Sequence, residues 1–265
     1  MSENESECSS IISNVNLEIE GFDPVQEDFH MIRKFLNELL TGIKDFGKID
    51  TSDIANKIIS QAGKIGSVLK QISSEDGESK AKNPKQEKVT ESIEEEDEAI
   101  LGVCSVLKAS DLSKHLKSSL ELETDNSVFL ISDRLEAMPL QAGLPLLSAT
   151  LSELKDFSKN LDKIHIIARC HCTKKGTQNS EDLEYIQDEF TFLTGQFGIK
   201  PYKFYAIQGA EPARRNMWEG SASAENDDDK DLHEQSEPLY PYRAMFKVDL
   251  ETLEKLTQFL VTVLA

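Results

Sequence analysis

Three groups of side chains in this sequence have the types and spacing to do chemistry. The first is Cys170-His171-Cys172, to which only Cys8, Cys104 and His165 could add soft ligands. A zinc site needs four converging ligands, and no Cys-x2-Cys pair supplies two of them from one turn. On a strand, Cys170 and Cys172 face one way and His171 the other. Ordinary thiols at a strand end are expected, with no metal. The second group is Asp133-Arg134, just after the apolar run Val128-Phe129-Leu130-Ile131. Charges at the end of a buried strand chiefly satisfy the backbone or each other, so a structural role is expected. The third is the junction Pro139-Leu140-Gln141-Ala142-Gly143-Leu144-Pro145, where a strand gives way to a helix. Many α/β proteins cradle a phosphate at such a junction on glycine-rich backbone amides. One glycine and two prolines, which carry no amide hydrogen, make a poor cradle. No cofactor is expected there. The histidines His30, His115, His165, His171 and His233 sit in unrelated contexts, so no Ser-His-Asp arrangement and no nucleophile follow.

Other stretches suit binding better than catalysis. The chain has 265 residues and a formal net charge of -19. Residues 1–14, 74–98 and 219–237 together hold sixteen of those nineteen negative charges. These stretches are poor in apolar residues, cannot offset their ordering entropy, and are expected to be mobile. The runs Glu94-Glu95-Glu96-Asp97-Glu98 and Asp227-Asp228-Asp229-Lys230-Asp231 are either solvating linkers or sites that attract basic partners. Met217-Trp218, beside Arg214-Arg215, is an aromatic anchor for a partner or packs on the sheet edge. No dense Lys/Arg stripe appears, which argues against direct sequence-specific nucleic-acid binding. Lys80, Lys82, Lys85 and Lys88 are too dispersed for an import signal. The amino terminus does not read as a signal peptide, and no apolar run is long enough to cross a bilayer; a soluble intracellular protein in a reducing compartment is expected.

The elements that must position these residues follow from periodicity. Val15, Leu17 and Ile19 alternate with polar residues, as in a half-buried strand near a sheet edge. Asp23-Pro24-Val25-Gln26 offers a cap, then proline at the first helical position, and predicts a helix with Val25, Phe29, Ile32, Leu36, Leu39 and Ile43 inward. A second helix is expected from about Thr51 with Ile54, Ile58 and Ile59 inward, closed by Gly63. Strands are expected at 65–72, 99–107, 128–131, 164–170, 202–207 and 242–248, with a short helical segment near 111–116. The 128–131 strand has no polar alternation and should be central. Leu140, Leu144, Leu147, Leu151 and Leu154 form one stripe on the helix that follows it. Ser180 is expected to cap a helix bearing Leu183, Ile186, Phe190, Leu193 and Phe197. Asp249 should cap a last helix with Leu253, Leu256, Leu260 and Val263 inward. Strands and helices are interspersed without strict alternation, so the expected fold is α/β (α+β): a central mixed sheet flanked by helices on both faces. One domain over 15–265 is expected, interrupted by acidic flexible insertions at 74–98 and 219–238, after a flexible acidic tail at 1–14.

This order is similar to that of the acetyltransferase superfamily. That superfamily carries a (Gln/Arg)-x-x-Gly-x-(Gly/Ala) turn for the pyrophosphate of acetyl-CoA. Here Gln141-Ala142-Gly143-Leu144-Pro145-Leu146 puts the glycine one place early and a proline inside the turn. Four stretches carry a closer resemblance: Phe22-Asp23 to Leu40, Ile65-Gly66-Ser67-Val68-Leu69-Lys70-Gln71, Ile131-Ser132-Asp133-Arg134 through Met138-Pro139-Leu140-Gln141, and Pro238-Leu239, Tyr242-Arg243 and the segment to Leu256. In these the chain resembles the Bcp/BCCIP family of nuclear proteins. Asp133, Arg134, Pro139 and Gln141 are the signature positions. Asp133 stands where glutamate is commoner and Leu140 where proline is, and the second acidic insertion is longer. The resemblance implies an acetyltransferase-like fold without the activity, hence not an enzyme. It also implies a chaperone or adaptor that binds and protects a basic large-subunit ribosomal protein. The same resemblance implies a role in ribosome biogenesis, protein transport and nuclear export, in the nucleus and shuttling to the cytoplasm. The animal members also bind DNA-repair and cell-cycle proteins. A monomer is expected, and the alternative is a divergent acetyl-CoA-dependent N-acetyltransferase.

Overall fold

The structure is a computed structural model that describes residues 18–72, 100–122, 126–158, 161–214 and 237–264. The runs Glu94–Glu98 and Asp227–Asp231, together with Cys8, Val15, Leu17, Arg215, Met217, Trp218 and His233, lie outside the described residues.

Among those residues the strands are β1 (Glu18–Phe22), β2 (Ser67–Ile72), β3 (Ile100–Lys108), β4 (Val128–Arg134), β5 (Ile164–Cys172), β6 (Glu184–Tyr185), β7 (Lys203–Ala206), β8 (Ala213–Arg214) and β9 (Pro238–Val248). The helices are α1 (Phe29–Leu40), α2 (Thr51–Ser60), α3 (Lys114–Leu120), α4 (Leu140–Phe157), α5 (Asp188–Gly195) and α6 (Leu250–Leu264). The sheet runs β1-β2-β3-β4-β5-β9-β7, with β6 on β5 and β8 on β9. β4 and β5 are parallel and every other pair is antiparallel. A parallel pair needs a crossover, which α4 supplies. The mixed sheet flanked by helices on both faces is therefore present.

One face buries the α4 stripe Leu140, Leu144, Leu147, Leu151 and Leu154 with Leu253, Leu256 and Leu260 of α6 and Phe190 of α5. The other buries Ile32, Leu36 and Leu39 of α1, Ile54 and Ile58 of α2, and Leu116 and Leu120 of α3. Phe129 and Ile131 of β4 point into the second core, while Val128 and Leu130 point into the first. That two-sided burial is why β4 lacks polar alternation.

Four expectations are corrected. Asp23 does not cap the first helix: a 3-10 turn at Gln26–Asp28 precedes α1. Asp28 explains this, since its Oδ2 accepts from Val25 N–H at 2.9 Å while its Oδ1 pairs with Lys70 of β2 at 2.9 Å. Val25 is exposed as a result, and Val263, at the end of α6, is exposed as well. The helix expected from Ser180 is shorter: Ser180–Asp182 is a 3-10 turn, Glu184–Tyr185 is strand, and α5 begins at Asp188. Sheet pairing outweighs helical periodicity there, because β6 takes backbone groups of β5 at Cys170 and His171. The fourth is the segment near 111–116, which divides into a 3-10 turn at Ala109–Asp111 and α3. Asp249 does cap α6, accepting from Thr252 N–H at 2.8 Å.

Gly66 has φ +92, and a Cβ built on it would lie 2.5 Å from Ser105 Oγ and 2.9 Å from the Cys104 carbonyl. Only glycine permits β2 to leave α2 this close to β3. Gly66→Ala is expected to cost about 2 kcal/mol in urea unfolding, from the left-handed backbone and the overpacking together.

Candidate functional site

The sequence brings its unusual polar residues to the carboxyl-terminal end of β4. β4 and β5 pair only at Val128–Leu130 with Ile164–Ile166. Beyond that, the backbone of β5 bonds on this side to β6, at Cys170 and His171, and Arg169 O accepts from Ile186 N–H at 3.0 Å. β9 covers the other edge of β5 along its whole length. The two parallel strands therefore diverge, and the chain's own segment Leu183–Gln187 is wedged into the fork.

Charged side chains fill the rest of the fork. Asp133 Oδ1 accepts from Arg134 N–H (3.0 Å), from Arg169 Nε (3.1 Å) and from Gln187 Nε2 (2.9 Å). Arg169 Nη2 also lies 3.0 Å from the same oxygen and donates to the Arg134 carbonyl at 2.8 Å. Arg169 Nη1 donates to Glu136 at 3.1 Å and lies 4.0 Å from Glu38 of α1. Arg134 donates to Glu189 of α5 at 2.6 Å and to the Met138 carbonyl at 3.2 Å. A Cβ on Gly143 would meet the Arg134 side chain at 3.3 Å, so that arginine lies against the first turns of α4. Pro139 sits at the cap position of α4, and both it and Gln141 are exposed.

Burial pushes the Asp133 carboxyl up to about 6 against the opposing pull of Arg169. The folded protein therefore takes up this proton before the unfolded chain does, and stability from this group rises as pH falls. Between pH 7.5 and pH 5 the gain is expected to be about 1.4 kcal/mol. Urea unfolding of the protein and of Asp133→Asn at both pH values measures it, because only the former should show that slope.

Cys170 and Cys172 are fully buried in the core, and His171 is half-buried on the opposite side. Burial pushes the Cys104 and Cys170 thiols up to about 12, which leaves them inert at neutral pH. Among the described residues no group of His, Cys, Asp and Glu is arranged to hold a metal ion. Arg169, Gln187, Glu189 and Glu136 were not singled out by sequence. Arg169 left one signal, a charge inside the apolar run of β5.

The BCCIP family model matches residues 14–196. The chain belongs to the BCCIP family. A search of curated proteins found no match. Among solved structures, this BCCIP-family chain is similar to a putative acetyltransferase from Salmonella typhimurium with its cofactor acetyl-CoA. The TM-score is 0.38 at 11% identity, over 89% of this chain and 95% of that one. It is also similar to a GNAT-family acetyltransferase from Streptococcus pneumoniae, with a TM-score of 0.34 at 13% identity, over 87% of this chain and 99% of that one.

One further property of the fold concerns this end. β1 begins at Glu18 opposite Ile72, β2 ends at Ile72, and β3 starts at Ile100, two residues from the Gly102–Arg134 pair. Arg214 of β8 pairs with Pro238 of β9, and Tyr240 pairs with Cys172 at the end of β5. The points where residues 1–17, 73–99 and 215–237 join the sheet thus share the end that holds Asp133 and Arg134.

Proposed function

We propose that this BCCIP-family protein is a non-enzymatic chaperone or adaptor that holds a basic protein client, in the nucleus and in transit from it. By family resemblance the client class is a large-subunit ribosomal protein. The observation that carries this reading is the shared attachment of the three acidic stretches. Acidic stretches attached at one end of a sheet draw a cationic partner toward that end and raise its encounter rate. The wedged Leu183–Gln187 segment and the Arg134 side chain against α4 support a non-enzymatic reading, since together they occupy the fork and the adjoining helix start.

The test is titration of the purified protein against purified large-subunit ribosomal proteins. Replacing 73–99 and 215–237 by short hairpin turns is expected to weaken the complex by roughly tenfold or more. The intact complex should weaken steeply with added salt. An affinity indifferent to both changes would overturn the reading. A rise in melting temperature with acetyl-CoA would favour a divergent N-acetyltransferase instead, because a specific ligand of the native state must stabilise it.

A further inference from the structure

Buried polar side-chain atoms almost always find partners, and each exception calls for a physical reason. Among the described residues eight such atoms have none, and two of them, Tyr185 Oη and Gln187 Oε1, lie on the segment wedged between β4 and β5. A third, Asp133 Oδ2, belongs to the carboxylate whose Oδ1 accepts from Gln187. The segment's hydrogen bonds to the rest of the sheet are a two-residue bridge to β5, the Ile186 N–H bond to Arg169 O and the Gln187 bond to Asp133, and Leu183 and Tyr185 pack on the first core. Few main-chain bonds and two unmet desolvation costs on the segment lower the free energy needed to open it.

We propose that Leu183–Gln187 is a strap that opens while the rest of the sheet stays folded, and that the slot it vacates accepts an extended lysine- or arginine-bearing client segment. When the strap swings out, β5 presents backbone groups at Arg169–His171 along the edge it now shares with β6. Strand addition to such an edge provides affinity through main-chain hydrogen bonds. The charge of the slot selects the occupant. Arg134 is matched by Glu189, and Arg169, with Arg243 opposite it on β9, meets Asp133, Glu136 and Glu38, so four carboxylates face three arginines at the fork. Release of Gln187 also frees a lone pair on Asp133 Oδ1 beside the unpartnered Oδ2, which an ammonium group can take. This inference rests on the basic-client reading and names the place where the client would dock.

Hydrogen exchange followed by mass spectrometry on the full chain tests it, with a short peptide of alternating lysine and valine as the probe. Amides of 184–187 are expected to exchange at least about 100-fold faster than those of β3 and β9, since local opening needs far less free energy than global unfolding. The peptide should speed exchange in 184–187 and slow it at 169–172, by roughly tenfold each, while an alternating glutamate and valine peptide should change neither. Tyr185→Phe removes an unpartnered hydroxyl from the closed state and should slow strap exchange roughly fivefold. Strap amides that exchange only with the β3 core would overturn the proposal. Tight binding of the lysine peptide with the strap unchanged would overturn it too, while leaving the basic-client reading intact. That reading fails separately, if removing the acidic stretches leaves client affinity unaltered.

Discussion

Arg169→Met is expected to lower the free energy of unfolding by about 3–5 kcal/mol near neutral pH, because it strands buried carboxylate charge. Asp133 has a fully buried side chain, and two of the nitrogens that surround its Oδ1 belong to Arg169. The substitution also leaves the Arg134 carbonyl without the guanidinium that bonds it. In a chain of this size the melting temperature should fall by about 10 °C. Two controls separate charge from packing. Asp133→Asn in the Arg169→Met background should recover much of the loss, since an apolar or neutral pair avoids the isolated charge. Lowering the pH from 7.5 to 5 should shrink the loss as well, because Asp133 then carries its proton. A loss that neither the second substitution nor acid relieves would mean that the fork is held by packing.

Arg243→Met is expected to cost about 2–4 kcal/mol for a different reason. Arg243 in β9 donates Nε to the carbonyls of Glu38 (3.1 Å) and Leu39 (3.0 Å), Nη1 to its neighbour Tyr242 (2.9 Å), and Nη2 again to Glu38. It is the cap for the last turn of α1, supplied from the far end of the chain. Burial lowers its pKa to about 10, so it stays charged at neutral pH. Without it, the last carbonyls of α1 lose their charged donor in a water-poor setting. Hydrogen exchange should localise the damage: amides of α1 should lose protection while those of α4 and α6 keep theirs. Uniform loss across both faces would show that Arg243 matters to the sheet rather than to the cap.

Much of this architecture was legible from local pattern. The leucine stripe of α4, the Asp249 cap and the continuous apolar run of β4 each depend on residues close in sequence, and all three appear where expected. Residues 183–187 did not follow that logic. Leu183, Ile186, Phe190 and Leu193 have helical spacing, yet the first two lie outside any helix, on either side of β6, because β5 has an open edge there once β4 diverges. Nothing in the local sequence announces that edge. The contacts of Asp133 were hidden for a related reason. Its place at the end of a buried strand was visible, but Arg169, Gln187 and Glu189 reach it from 36, 54 and, through Arg134, 55 residues away. Single charges inside apolar strands, such as Arg169 and Arg243, were the available hint that long-range partners exist.

The two internal acidic stretches each depart from one strand and return on its antiparallel neighbour, β2 to β3 and β8 to β9. A span whose ends are already side by side adds almost nothing to the scaffold's folding cost as it grows: doubling its length adds only about 0.6 kcal/mol of closure entropy. Evolution can therefore retune the reach and valence of these spans as exchangeable cassettes, while selection on the core proceeds independently. Their length is free to drift without cost to the sheet.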